Sequence, residues 1–129
     1  AKGAGTLTLN GTATGAVISA KTRARVEVTN YTADGAITLT SGLHTIAKTS
    51  AAAMTVAAPS SQAGTRLSII SNTDYAHVIT FTGATLLDGT TGANLTVTMT
   101  AFKGSAITCV AVGTKWLLES SSNVTSITV

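Results

Sequence analysis

Charge is scarce in this sequence: eight Lys and Arg and five Asp and Glu are spread over 129 residues. A charged fraction of 10%, against about 25% in typical soluble domains, excludes disorder of the highly charged kind. Long apolar runs are missing as well, and none approaches the roughly 18 to 20 residues of a helix that spans a bilayer. The opening residues show no basic stretch followed by an apolar one, so no secretory signal is read there. A single cysteine, Cys109, excludes an internal disulfide framework and fits a protein made in a reducing cytoplasm. With only His44, His77 and Cys109 as soft ligands, a structural zinc site is excluded and no metal or cofactor is expected. Five aromatics, Tyr31, Tyr75, Phe81, Phe102 and Trp116, are too few and too far from the basic residues to alternate with them on a base-stacking surface.

What is abundant is small. Twenty-six Thr, 21 Ala, 12 Ser and 12 Gly make up 71 of the 129 positions. Mean hydropathy is +0.39, so much of the outside must consist of uncharged small side chains. Such a surface is cheap to desolvate and lets backbones approach closely, which points to an assembly subunit. The net charge of +3 does not indicate nucleic acid, because the cations are scattered and only Arg23 and Arg25 lie together; nucleic-acid binding needs a cationic stripe. Four of the five Asn stand in N-x-Thr sequences (Asn10, Asn30, Asn94 and Asn123), an arrangement that a Thr-rich chain produces without glycosylation.

At 129 residues one domain is expected, large enough to bury its own core. Thr and Val alternate with period two and are interrupted every 8 to 12 residues by Gly, Asn or Asp. This is the pattern of an all-β sandwich or barrel of short antiparallel strands. Strands are expected at 22–29, 36–40, 43–48, 54–57, 66–71, 77–82, 95–100, 105–112, 115–120 and 124–129. In the first of these, Ala24, Val26 and Val28 are expected to face inward, opposite Arg23, Arg25 and Glu27. Gly113-Thr114 reads as the turn of a hairpin between the strands ending at Val112 and starting at Lys115, and Pro59 as a strand terminator. Residues 1–20 are too poor in large side chains to add to a core and read as an extended N-terminal arm, with a single β domain over 21–129. Within the arm Thr6, Leu7, Thr8 and Leu9 alternate as an added strand does.

Candidate chemistry is thin. Cys109 sits mid-strand between Thr108 and Val110 with no glycine elbow before it, so a small inert hydrophobe is favoured over the nucleophile of a triad with His77. His77 follows a turn sequence, where its ring is expected to bond a turn carbonyl or to lie at an interface, with a pH switch as the sharper alternative. Asp34, Asp74 and Asp88 each belong to a turn signature, which leaves no carboxylate pair for glycoside hydrolysis. Trp116 reads as a core or interface anchor before a sugar platform. An enzyme is the least favoured class.

From Ser41 onward a sequence of features falls in a set order: SGLHTIAK, a short Ala-rich stretch, MTVAAPSSQAGTRLSIIS, AHVITFTG, an acidic-Gly turn, then GSAITCVAV and GTKWLLES. This order resembles small all-β modules of bacteriophage virions, notably head decoration or cement proteins and segments of tail fibres. Pro59, Gly64, Arg66 to Ile70 and the stretch Gly113 to Trp116 carry the resemblance, which covers about 80 of the 129 residues and leaves 1–40 uncovered. It implies a homotrimer seated on the major capsid protein at the outer surface of the virion, synthesised in the host cytoplasm, with no catalytic residues and no nucleic-acid or membrane partner. A tail-fibre or receptor-binding β module is the alternative; a glycan partner is disfavoured by the single Trp. Bridging neighbouring capsomers would fall to the arm at Thr6, Leu7, Thr8 and Leu9, which can pair with a foreign sheet edge. Arg23 and Arg25, beside Glu27, would grip capsid carboxylates. The His77 loop and the Trp116 hairpin are the remaining candidates for the holding surface.

Overall fold

The computed structural model describes residues 26–59, 63–82 and 94–128. Among them there is no helix, and ten strands form two five-stranded sheets packed as a sandwich. In chain order the strands are β1 (Val28–Tyr31), β2 (Gly35–Ala36), β3 (Gly42–Ile46), β4 (Ala53–Ala57), β5 (Arg66–Ser71), β6 (Val78–Thr82), β7 (Asn94–Met99), β8 (Ala106–Val112), β9 (Lys115–Ser122) and β10 (Val124–Thr128). Sheet A has the order β1-β3-β5-β8-β9, and sheet B the order β10-β7-β6-β4-β2.

The all-β sandwich is the expected architecture, but its pairing is mixed. β1, β3 and β5 are parallel, as are β2, β4 and β6, while β8 and β9 in sheet A and β7 and β10 in sheet B join antiparallel. Parallel neighbours need a crossover, commonly a helix. Here each crossover is a strand of the opposite sheet, so β1 to β6 wind as three flattened coils. The last four strands then close the stack with a reversed rung, β7 and β8, and a final rung, β9 and β10.

Period-two alternation builds the interior. β5 turns Leu67, Ile69 and Ser71 inward, β8 turns Ile107, Cys109 and Ala111, and β7 turns Leu95, Val97 and Met99. From sheet B, Met54, Val56, Ile79 and Phe81 meet them. Each large aliphatic side chain buried in this layer contributes about 1.5 to 3 kcal/mol. Trp116 fastens the two sheets: its indole N–H donates to the Ala57 carbonyl at 2.9 Å, and its ring meets Phe81 edge-on with centroids 6.5 Å apart. Pro59 is buried just past the end of β4. Gly113, at φ 62°, is the first residue of the two-residue β8–β9 loop and the only one there with positive φ. That is the pattern of a II′ hairpin turn.

One expectation about β1 is reversed. Val26 and Val28 point away from the core, 67% and 59% exposed, while Thr29 and Tyr31 turn inward. The reversal follows from the register, which sets Val28 beside the outward Leu43 and Tyr31 beside the inward Ile46. Residues 22–25 of that expected strand, and the whole arm 1–20, lie outside the described residues.

Candidate functional site

Of the residues read from the sequence as partner-binding, Thr6, Leu7, Thr8, Leu9, Arg23 and Arg25 lie outside the described residues. Glu27 is exposed just before β1, and its carbonyl accepts the Leu43 N–H at 2.8 Å. His77 and Trp116 are not surface residues: their relative exposures are 0% and 1%. Period two turns Trp116 inward beside Ala111, and a ring of hydrogen bonds holds His77 inside. Neither side chain reaches the surface from these positions; Trp116 takes the core-anchor place of its two expected ones, and His77 is bonded inside rather than to a turn carbonyl.

The two histidines are buried structural groups with defined donors and acceptors. The Ala52 N–H can only donate, so Nδ1 of His77 accepts it at 3.0 Å. Nε2 then carries the proton to the Thr73 hydroxyl at 2.9 Å, and that hydroxyl donates to the Lys48 carbonyl at 3.0 Å. A protonated ring would oppose donor to donor at Ala52. Burial and the nearby Lys48 charge hold the His77 pKa below its ordinary value. In His44, Nε2 donates to the Thr40 carbonyl and Nδ1 accepts the Tyr31 hydroxyl, each at 2.9 Å. Cys109 faces the core of sheet A, where burial pushes its thiol up to about 12 despite a hydrogen bond from the Leu67 backbone. Both nitrogens of His77 are engaged elsewhere, so the structure does not assemble a Cys109–His77 pair. Among the described residues no group of three metal-ligating side chains converges.

The surface is differentiated instead. The outer face of sheet B is Thr, Ala and Ser with one Val: Thr55, Thr80, Thr96 and Thr128 stand in one row across four strands. The outer face of sheet A is more apolar. Arg66 crosses it to Glu119 through a two-pronged pair, Nε to Oε1 at 2.7 Å and Nη2 to Oε2 at 3.1 Å. Beside that pair Val26, Glu27, Ser41, Gly42, Arg66 and Ser68 line an open recess of about 480 Å³.

Searches against family models, curated proteins and solved structures return no match for this chain.

At one end of the sandwich the connections are tied to each other. Asp34 takes Lys48 Nζ at 2.7 Å and the Ala53 N–H at 2.9 Å, and the two donors lower its pKa. The Asp74 carboxylate accepts the Lys103 N–H at 2.7 Å, and the Gly104 N–H reaches the Ser71 carbonyl at 2.8 Å. These bonds join the β5–β6 and β7–β8 connections and bring out two aromatics, Tyr75 at 42% and Phe102 at 54% exposure. The sequence reading did not single them out, although each lies in a turn signature (Asn-Thr-Asp before Tyr75, Lys-Gly after Phe102), which places a ring in a loop rather than a core.

Proposed function

We propose that this chain is a non-enzymatic structural protein of a virion, a decoration or cement protein that binds the outside of a phage head and stabilises the shell by bridging capsomers. The observation that carries the reading is the outside of the sandwich. Sheet B shows Thr, Ala and Ser with one Val, and sheet A shows Val, Leu and Ile around the Arg66–Glu119 pair; with few charges to desolvate, both suit a subunit that spends its life against other protein. The features behind the resemblance also have structural roles here: Pro59 follows β4, Gly64 turns the chain before β5, and Trp116 fastens the sheets after the Gly113 turn. Contact with the major capsid protein is assigned to the N-terminal segment with Thr6, Leu7, Thr8, Leu9, Arg23 and Arg25, and to Glu27 at the foot of sheet A.

The test is to assemble heads with and without this protein, image them, and heat both. Added density on the outer shell and a higher rupture temperature are expected. Heads that bind none of it, or gain no heat resistance from it, overturn the proposal. One observation favours a second reading as a tail-fibre or receptor-binding module: the hydrogen-bonded loop end that exposes Tyr75 and Phe102, since rings on braced loops are a common means of engaging a partner. Localisation to the tail in the same images would decide for it.

A further inference from the structure

We infer that the outer face of sheet A is the surface through which copies of this chain join. The inference rests on the assembly reading above only for the number of copies.

The two outer faces of the sandwich are asymmetric. Both sheets alternate inside and outside in the same way, yet their outer faces differ in composition. On sheet B, apart from Val78, the outward positions described in β4, β6, β7 and β10 are hydroxyls and small side chains, as in the in-register row of Thr55, Thr80, Thr96 and Thr128. On sheet A the register brings Val28, Leu43, Ile70, Val112 and Leu117 to one outer face, and Val26 extends it. Val26, Val28, Val112 and Leu117 are all among the large apolar side chains left open to solvent. Thr in those positions would form strands equally well, as it does on sheet B. Aliphatic side chains there gain only when the face is covered. The outward turn of Val26 and Val28 is therefore explained by cover from outside rather than by the core.

A second copy fits this face better than a charged partner does. Its central cation Arg66 and anion Glu119 are closed on each other in a bidentate pair, and Lys115 stands at the start of β9 beside Val112. The pair can be covered as a neutral unit, without leaving a lone charge buried. A strongly acidic or basic partner would find nothing free to grip at its centre, whereas another face of the same apolar and hydroxyl composition would. Size agrees as well. Five strands at about 4.8 Å spacing, of four to eight residues at about 3.3 Å each, span about 20 Å across the strands and about 13 to 26 Å along them. With side-chain relief this is several hundred Å², the scale of the roughly 800 Å² per partner in a standard interface.

The experiment measures mass in solution by light scattering on the full chain. The wild type is expected to run as an oligomer, at three times the 12.9 kDa of one chain if the head-decoration reading holds. Leu117→Lys with Val112→Lys should lower the mass to that of a single chain while leaving the melting transition in place, because both side chains already point outward. Thr80→Lys with Thr96→Lys, on sheet B, should leave the mass unchanged. A monomeric wild type overturns the inference, and so does an oligomer that survives the sheet A variant or is dispersed only by the sheet B variant. A monomer that still decorates heads sinks this inference and spares the proposed function. An oligomer that the sheet A variant disperses, but that binds no heads, does the reverse.

Discussion

Two buried titratable groups give the residue scale its measurable behaviour. The thiol of Cys109 is raised to about 12 by burial in sheet A, so at neutral pH almost none of it is thiolate, the reactive form. Folded protein should resist alkylation by iodoacetamide at pH 8 over hours, while urea-unfolded protein reacts in minutes; mass spectrometry at intervals distinguishes the two. Rapid labelling of the folded chain would contradict the placement of the thiol. His77 acts through pH. Its pKa is lowered from an ordinary 6.5, so between the lowered value and 6.5 the unfolded chain binds more protons there than the folded one. Stability therefore rises with pH across that window: it is full above 6.5 and is lost as pH falls through it. Urea midpoints measured at steps from pH 7.5 to 5 should fall, and His77→Gln should flatten that part of the profile. An unchanged slope in the variant would place the effect on another group.

At the scale of elements, the legible strands are those whose alternation is strict and whose ends carry turn residues. β5 occupies the stretch 66–71 read from Arg-Leu-Ser-Ile-Ile-Ser, and the β8–β9 hairpin turns at Gly113 as its sequence implies. Pairing direction was not legible, because short alternating strands look alike in parallel and antiparallel ladders, and the sequence offered no helices to signal crossovers. Nor was the orientation of β1 legible: two valines on one face read as core in any isolated strand, and only the register with β3 shows that they face out. The enclosure of His77 and Trp116 is half legible: a core place is one of the two that Trp116 allows, and a polar ring after a turn fits a surface as well as a satisfied interior.

Gly42, at the start of β3, supports a prediction at this scale. It has φ 144°, and a Cβ on it would run into the Glu27 carbonyl, which receives the Leu43 N–H. Gly42→Ala must separate the chain before β1 from β3 or distort the strand start. A loss of about 1 to 3 kcal/mol is expected in urea unfolding, with faster amide exchange at Leu43. A neutral effect on both would show that the contact gives way freely.

The whole molecule has two halves wound differently. β1 to β6 advance one coil at a time, and β7 to β10 reverse and end the stack. Since β8 and β9 each reverse direction, β9 runs the same way as β1, and by the same reasoning β10 runs the same way as β2.

This winding determines which changes of length the chain can absorb. A coil is one strand in each sheet with its two connections, from Val28 to the start of β3 at Gly42 in the first and from Gly42 to the start of β5 at Arg66 in the second. Inserting or deleting one whole coil among the first six strands leaves every later strand in its own sheet, pointing the same way, with the same side chains inward. Inserting a single strand turns each later strand of the winding half a turn about its axis into the opposite sheet, where strands with the apolar outer face of sheet A would stack on the hydroxyl-bearing strands of sheet B. Natural length variation in this architecture should therefore come in whole turns of the winding, with the closing strands travelling as an unbroken block.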